Sequence, residues 1–265
     1  MPLVLVHGNP ETAAIWDELI PHLNADDIIT LTPPGFGAPL PNNFDATSDG
    51  YLNWLINEIK NIEGPVDLIG HDWGGGHVVR LACERPELIR SWASDILGIF
   101  TPEYVWHENA QIWQTPGAGE EAVAERANTT DEAWVERFQS LGMTKSIAEQ
   151  IAPWVNIDMG QCVLSLYRSA AQPALGNMFK GLARAAEKPG LALIATDDPY
   201  VGGMVGSHGM LEMRTSYEYT AEILGRKAAE QAQAQVGIID GEGHWWMCTN
   251  PEKGAHIINN FLNSL

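Results

Sequence analysis

The sequence has few cysteines, few basic residues and no long apolar run, and each shortage excludes a class of protein. Its three cysteines, Cys83, Cys162 and Cys248, are far apart and odd in number, which argues against a disulfide framework or a zinc site. We therefore expect reduced, mostly buried thiols in a cytoplasmic protein. No apolar run approaches the roughly 20 residues that span a bilayer. The opening M-P-L-V-L-V-H-G lacks the basic segment of a signal peptide, so we expect none.

Basic residues are outnumbered by acidic ones, 15 to 34, which gives a formal net charge of −19 and a pI near 4.6. Such a surface repels nucleic acid and anionic membranes. We therefore expect neither as a partner and instead expect a small-molecule substrate, while nothing in the sequence indicates an oligomeric state. The 265 residues are 45% hydrophobic, which suffices for one domain with a sizeable core.

Short apolar runs alternate with helical patterns over much of the chain. Strands are predicted at 3–6, 28–31, 66–69, 91–99, 191–195 and 236–239, and helices at 11–19, around 51–59, after the third strand to about Cys83, and at 221–234 and 251–265. Because the strands are continuously apolar, they predict a parallel sheet covered on both faces. The segment 100–188 contains no convincing strand and is predicted to be helical. We expect residues 1–99 and 189–265 to form an α/β core, and 100–188 to form a helical cap over an active site.

The stretch L-I-G-H-D-W-G-G-G-H at 68–77 places Asp72 between glycines, directly after a predicted strand. A tight strand-to-helix turn there would raise the Asp72 side chain above the strand ends, with Gly70, Gly74, Gly75 and Gly76 providing the small flanks. Asp is also favoured at a helix N-cap. The position between glycines, just beyond a mostly apolar four-residue strand, favours the elbow.

Three further motifs accompany this one, each at the end of a predicted strand. In chain order the four are H-G-N-P at 7–10, G-H-D-W-G-G at 70–75, D-D-P at 197–199 and G-E-G-H-W at 241–245. Together they resemble the Asp-nucleophile branch of the α/β-hydrolase superfamily, the epoxide hydrolases and haloalkane dehalogenases, over nearly the whole chain. These families usually have two more strands before the one that ends in H-G. The resemblance implies an α/β-hydrolase fold, a mostly parallel sheet with helices on both faces and an inserted helical cap.

The resemblance also implies a role for particular residues, without a metal or cofactor. Asp72 would be the nucleophile, His244 the base that activates water, and Asp198 the acid that orients His244. The backbone N–H groups of Asn9 and Trp73 would form the oxyanion hole. Asp95, near the end of the strand 91–99, is an alternative acid, because some dehalogenases keep theirs there; otherwise it is a buried polar residue near the cap hinge. The interval from Asp198 to His244 contains an insertion near 202–219.

A carboxylate at position 72 predicts a particular chemistry. It is ionised at neutral pH and needs no base to attack. It can displace a leaving group from an sp³ carbon, opening an epoxide or expelling a halide, and so form an ester through its own carboxyl group. Attack on an ordinary carboxylic ester would give an anhydride instead, so simple esterase activity is not expected.

The choice between epoxide and halide depends on a few side chains. S-L-Y-R-S at 165–169 resembles the segment in which epoxide hydrolases keep a ring-opening tyrosine, which indicates Tyr167 as a proton donor. The expected second tyrosine position falls near Asn109, where His107 or Tyr104 could donate instead. Against this, the side chains of Asn9 and Trp73 match a halide-binding pair, although Trp73 occurs in both branches.

We expect an epoxide hydrolase that converts small apolar electrophiles to vicinal diols. The alternative is a haloalkane dehalogenase that releases halide and an alcohol. A third class, a non-catalytic receptor on the same fold, would not need Asp72, Asp198 and His244 together. The cap tryptophans Trp106, Trp113, Trp134 and Trp154 are candidates to line an apolar pocket.

Overall fold

A computed structural model describes residues 1–202 and 220–265. The insertion expected near 202–219 lies, apart from Gly202, outside the described residues. Six strands form one all-parallel sheet in the order β2-β1-β3-β4-β5-β6. Their bounds are β1 Leu3–Val6, β2 Ile28–Leu31, β3 Val66–Gly70, β4 Ile89–Ser94, β5 Gly190–Ala195 and β6 Gln235–Ile239.

Burial follows the position of each strand in the sheet. The central strands β1, β3 and β5 are buried along their whole length, whereas the edge strands β2 and β6 are partly exposed. Continuous apolar runs such as L-V-L-V in β1 suit a strand that has helices on both faces. The prediction of a parallel sheet is confirmed. Because all strands run the same way, the loops that follow them meet at one edge of the sheet.

Eleven α-helices occupy the described residues. They are α1 Ser48–Lys60, α2 Trp73–Glu84, α3 Glu108–Gln114, α4 Ala118–Asn128, α5 Asp131–Ser140, α6 Lys145–Ile151, α7 Ile157–Ser169, α8 Ala174–Phe179, α9 Ala221–Ala232, α10 Trp246–Thr249 and α11 Pro251–Asn263. Helix α2 packs on β3 and β4, α9 on β5, and α11 on β6. Residues 100–188, all of them described, contain α3 to α8 and no strand. Within this segment α7 packs against α3 and α4, and it also contacts α1.

Two predicted elements are wrong. The strand expected at 91–99 is Ile89–Ser94, and a 3-10 helix follows at Leu97–Phe100. The Ser94 hydroxyl accepts a hydrogen bond from the Ile96 N–H, and this local bond turns the chain out of the extended conformation.

The helix expected at 11–19 is replaced by two 3-10 helices, Ala13–Trp16 and Ile20–His22. The Thr12 hydroxyl accepts the Ala14 N–H, and the N–H groups of Asp17 and Leu19 bond to carbonyl groups three residues back, which gives 3-10 turns in place of α-helix.

The other elements lie within a few residues of their predicted bounds, and α10 was not predicted. The three cysteines are unpaired; Cys162 and Cys248 are buried and Cys83 is half-buried. No helix in the described part of the chain has both the length and the apolar character required to cross a membrane.

Candidate active site

The turn between β3 and α2 presents Asp72 at the edge of the sheet where the strands end. Its backbone has φ 48° and ψ −131°, a conformation that residues with a Cβ rarely adopt. The carboxylate makes no capping hydrogen bond to α2, so the side chain does not act as a helix cap. Instead its Oδ1 accepts a hydrogen bond of 2.8 Å from the backbone N–H of Asn9, in the loop after β1. Strained backbone at a polar residue is typical of functional turns.

Glycines allow the two loops to approach this closely. A Cβ at Gly8 would lie 2.2 Å from Oδ1 of Asp72, and one at Gly74 would lie 2.2 Å from the carbonyl oxygen of Val6. Gly76 differs, because a Cβ there would meet no atom nearer than 3.6 Å. We expected all four elbow glycines to be needed for packing, and Gly76 is not.

His244 lies beside Asp72 and is held from its other side by Asp198. Nε2 of His244 is 3.7 Å from Oδ2 of Asp72, and its Nδ1 is 2.7 Å from Oδ2 of Asp198. The second oxygen of Asp198 accepts hydrogen bonds from the backbone N–H groups of Tyr200, at 2.7 Å, and Val201, at 3.3 Å. The structure thus brings together, from three distant parts of the chain, the three side chains that the motifs singled out.

Burial and mutual attraction set the charges of these groups. Burial raises the pKa of Asp72 to about 6, against the opposing attraction of His244, and repulsion by Glu11 adds to the rise. Burial alone would lower the pKa of His244, but the charge of Asp198 and its hydrogen bond outweigh it and raise that pKa. The same attraction lowers the pKa of Asp198 despite its burial. Asp198 is therefore ionised at neutral pH and stabilises the positive charge that His244 gains when it takes a proton.

Oδ1 of Asp72 accepts the backbone N–H of Asn9. Trp73 is the first residue of α2, and N–H groups in the first turn of a helix have no intrahelical acceptor. The positive end of the helix dipole adds to them. An oxygen at this position can therefore carry developing negative charge.

Asp95 is not brought to His244. Its Oδ2 lies 2.5 Å from Nδ1 of His71 and accepts a hydrogen bond of 2.8 Å from the Trp246 indole. Its Oδ1 accepts one of 3.1 Å from the backbone N–H of Asp72. Asp95 therefore supports the backbone of the elbow.

Glu11 forms the other end of the same buried network. Its carboxylate accepts hydrogen bonds from the Gly8 N–H, at 3.1 Å, and from the Trp245 indole, at 2.7 Å, and lies 3.0 Å from Nε2 of His71. Burial would lower the pKa of His71, but Asp95 and Glu11 raise it well above its usual value. His71 is thus an imidazolium that donates one N–H to each carboxylate.

Glu11, His71 and His244 also bring ligand-type atoms within 4.8 Å of one another. His71 uses both ring nitrogens as donors to carboxylates, so it has no lone pair for a metal. The chemistry of this donor set does not fit a metal ion.

Tyr167, on α7, faces the elbow from the opposite side. Its hydroxyl oxygen lies 3.5 Å from the side-chain nitrogen of Asn9, and its ring packs edge-on against Trp73 at 5.3 Å. Burial, followed by repulsion from Asp72, raises its pKa. The phenol therefore keeps its proton at neutral pH.

The candidates for a second proton donor are placed differently. His107 caps α3, with its Nδ1 accepting a hydrogen bond of 3.2 Å from the Ala110 N–H. Burial lowers the pKa of His107 to about 4, so it is neutral and its proton is on Nε2. His107 and Asn109 both line the cavity above Asp72. Tyr104 donates its hydroxyl proton to a backbone carbonyl, that of Tyr200, at 2.9 Å.

A cavity lies between the elbow and the helices α3 to α7. Its lining includes Asn9, Asp72, His107, Tyr167, Tyr200 and His244 from around the elbow, and Trp113, Arg126, Trp134 and Arg137 from the helical segment. Of the four tryptophans considered, Trp113 and Trp134 line it. Trp106 lines an adjoining cavity next to Asp72, and Trp154 packs on the core. The two arginines make this cavity less apolar than expected.

Several side chains around Asp72 were not predicted. His71 lies inside the motif at 70–75 and Glu11 directly follows the one at 7–10, so the motifs were the available signal. Tyr200 follows the D-D-P motif directly. Arg126 and Arg137 look like ordinary surface residues of helices, and nothing in the sequence separates them from the other arginines.

An all-parallel sheet with a tight, strained elbow after a buried strand, and with a run of helices between β4 and β5, is typical of the α/β-hydrolase fold, whose members differ in their substrates. The chain belongs to the alpha/beta hydrolase family, whose sequence profile matches residues 3–255. The resemblance inferred from the four motifs is confirmed.

The individual relatives resemble this chain at low sequence identity. A haloalkane dehalogenase of Psychrobacter cryohalolentis is 28% identical over 118 residues, 43% of this chain and 39% of the relative. One of Mesorhizobium japonicum is 26% identical over 165 residues, 56% of this chain and 50% of the relative. The matches thus span half or less of these relatives' length. The crystal structure of a haloalkane dehalogenase from Bradyrhizobium elkani superposes with a TM-score of 0.69 at 18% identity, covering 99% of this chain and 90% of that one.

Proposed function

We propose that the protein is a hydrolase in which Asp72 attacks an sp³ carbon of a small molecule and forms a covalent ester. One observation carries this proposal. Oδ1 of Asp72 accepts the Asn9 N–H at 2.8 Å, while Oδ2 lies 3.7 Å from Nε2 of a His244 that is tied to Asp198. One oxygen of this carboxyl group can therefore act as the nucleophile, the other lies where an oxyanion would be stabilised, and a base lies beside them.

The reaction proceeds in two steps. An oxygen of Asp72 forms a bond to the substrate carbon, and the bond from that carbon to its leaving group breaks with its electron pair. His244 then takes a proton from water, whose oxygen attacks the Asp72 carboxyl carbon. The intermediate's oxyanion is stabilised by the N–H groups of Asn9 and Trp73, each worth about 3–4 kcal/mol in comparable sites. Collapse releases an alcohol and restores the carboxylate.

Halide is the leaving group that we propose first. Both curated relatives described above are haloalkane dehalogenases, which supports the alternative over the epoxide hydrolase expected from the sequence. The site also has donors suited to a halide. The side-chain amide of Asn9 lies at the site, 3.5 Å from the Tyr167 hydroxyl. The Trp106 indole N–H is buried and has no acceptor among the described residues. It lies in the smaller cavity that Asp72 and Trp73 also line.

Epoxide opening is the second candidate, and Tyr167 favours it. An alkoxide leaving group needs a proton, and the buried phenol retains one near the elbow. Halide displacement does not require that proton.

Two experiments test the proposal: one distinguishes halide from epoxide substrates, and the other detects the covalent ester. The purified protein is incubated with bromoalkanes and terminal epoxides, and free bromide and diol are measured. Bromide release without diol supports the first candidate, and diol without bromide supports the second. With any substrate that is turned over, His244→Gln should accumulate an adduct on the peptide that contains Asp72, detected by mass spectrometry. A turned-over substrate that leaves no adduct would remove the covalent mechanism.

Tyr167→Phe separates the two candidates a second time. It should slow epoxide opening far more than bromide release, because only the alkoxide needs a proton. Equal effects on both would contradict a proton-donating role for Tyr167.

A further inference from the structure

Two arginines from the helical segment line the same cavity as Asp72 and His244. Arg126, on α4, is half-buried, and its guanidinium lies 5.3 Å from the ring centre of Trp113 and 5.1 Å from that of Trp134. Arg137, on α5, is exposed and lies 5.5 Å from the same Trp134 ring. The two cations thus flank one indole.

These guanidinium groups have no carboxylate partner and no hydrogen-bond acceptor in the described part of the chain. Most other arginines do pair with a carboxylate there, namely Arg80, Arg85, Arg90, Arg168 and Arg226. Acidic residues exceed basic ones by 34 to 15, so partners are abundant elsewhere on the molecule. Asp72 is the one carboxylate that lines this cavity among the residues described.

A cation held away from water without an anion is costly. Burial, followed by repulsion from Arg137, lowers the pKa of Arg126 to about 10. An apolar substrate would remove more water from the guanidinium and give nothing in return. An anionic group on the substrate would instead pair with both arginines.

The aromatic contacts of Arg126 also leave its N–H groups available to a ligand. The indole rings lie near Arg126 without accepting a hydrogen bond from it, and a planar guanidinium edge matches a carboxylate with two parallel hydrogen bonds. The aromatic contacts hold the guanidinium in place before the ligand arrives, so less freedom is lost on binding.

We propose that the substrate carries a carboxylate, which Arg126 and Arg137 bind while its electrophilic carbon faces Asp72. This inference rests on the proposed function for its reactive end, and it replaces the expectation of an apolar substrate. A net charge of −19 would otherwise repel such a molecule. The two arginines supply positive charge at the one cavity where the anion is needed.

The kinetic test compares 4-bromobutanoate with 1-bromobutane, which present the same reactive carbon, by enzyme-dependent bromide release. The bromide that 4-bromobutanoate loses without enzyme, when its own carboxylate closes a five-membered lactone, is measured separately and subtracted. The carboxylate should be preferred by at least about tenfold in kcat/KM, because charge-assisted hydrogen bonds are among the strongest polar contacts. Arg126→Gln and Arg137→Gln should each reduce the preference mainly through KM, and Arg126→Lys should retain part of it. Arg184→Gln is the matched control: it removes the same charge from an exposed residue that lines a different cavity, and it should keep the preference.

A binding test works without turnover. Butanoate and butanamide are titrated while tryptophan fluorescence is followed, since Trp113 and Trp134 contact Arg126. Butanoate should bind at least about tenfold more tightly than butanamide to the wild type and to Arg184→Gln, and the difference should be smaller in Arg137→Gln, where Arg126 alone remains. Because Arg137 is exposed, this variant serves even where Arg126→Gln does not fold.

The outcomes distinguish the two proposals. Equal turnover of 4-bromobutanoate and 1-bromobutane would overturn the carboxylate inference and leave the proposed function standing. Turnover of no bromoalkane and no epoxide, with butanoate still preferred to butanamide, would overturn the proposed function alone. Equal binding of butanoate and butanamide would overturn the inference whatever the kinetics show.

Discussion

Asp72 owes its chemistry to its surroundings more than to its residue type. A surface aspartate is ionised, solvated and a weak nucleophile, because water holds its charge. Here burial raises the pKa to about 6, and the N–H of Asn9 holds one oxygen. The remaining oxygen is less well solvated and faces the cavity, so it is poised to attack while still ionised near neutral pH.

The pKa of Asp72 predicts how activity falls on the acid side of the pH profile. Because only the ionised carboxylate attacks, kcat/KM should fall by about tenfold per unit as the pH drops below about 6. His244 attracts Asp72 and holds its pKa down. In His244→Gln the midpoint for forming the ester should therefore move to higher pH. Stopped-flow measurement of adduct formation against pH checks both statements, and a rate unchanged down to pH 5 would contradict them.

Asp198 and Asp95 should respond differently to the same change. Asp198→Asn should slow breakdown of the ester by on the order of 10³–10⁴, because the amide no longer holds the catalytic tautomer of His244. Formation of the ester should be largely retained, so the adduct accumulates. Asp95→Asn should leave the proton transfer to His244 intact and lower the free energy of unfolding by about 3 kcal/mol, because it weakens the buried pair with His71. Rapid-quench kinetics and urea denaturation measure the two effects, and the opposite pattern would assign the acid to Asp95.

At the scale of elements, the elbow depends on how closely β1 approaches α2. A methyl group at Gly74 would lie 2.2 Å from the carbonyl oxygen of Val6, whereas one at Gly76 would meet nothing nearer than 3.6 Å. Gly74→Ala should therefore destabilise the fold by about 1–3 kcal/mol and displace the oxyanion donors. Gly76→Ala, in the same helix, should stabilise it by about 0.5–1 kcal/mol. Thermal unfolding and activity of the pair test this, and equal losses would show that the two sites are packed alike.

Elements with a strong local signal were predictable, and elements shaped by side-chain hydrogen bonds were not. The apolar runs of β1 and β2 need no partner to be recognised, and their bounds agree with the structure. The strand at 91–99 was predicted too long, because Ser94 bonds to the backbone beyond it. The segment 11–19 has an apolar pattern that suits a regular helix, but the Thr12 side chain bonds to the Ala14 N–H and the backbone follows 3-10 turns.

At the scale of the whole molecule, site residues with a local sequence signal could likewise be predicted, and those placed by tertiary packing could not. Asp72, His244 and Asp198 are recognisable because each lies in a motif that resembles the family's and follows a predicted strand, and parallel strands end at one edge of a sheet. Arg126 and Arg137 are not recognisable, because their position depends on how α4 and α5 pack over that edge. Helix packing of this kind brings together residues that no local pattern connects.

The acidic surface has a consequence for the stability of the whole fold. A net charge of −19 repels itself in the compact state, and salt screens that repulsion over about 10 Å at 0.1 M. Raising NaCl from 20 to 500 mM at pH 7.5 should therefore raise Tm by roughly 2–4 °C, equivalent to about 1 kcal/mol for a chain of this size.

The control for this effect is the same measurement at a pH close to the pI. At pH 5.0, close to the pI of 4.6, little net charge remains to be screened, so the same addition of salt should shift Tm much less. Differential scanning calorimetry at the two pH values measures both shifts. An equal rise at both would mean that salt acts through the burial of apolar surface and that the excess of acidic residues does not limit the stability of this protein.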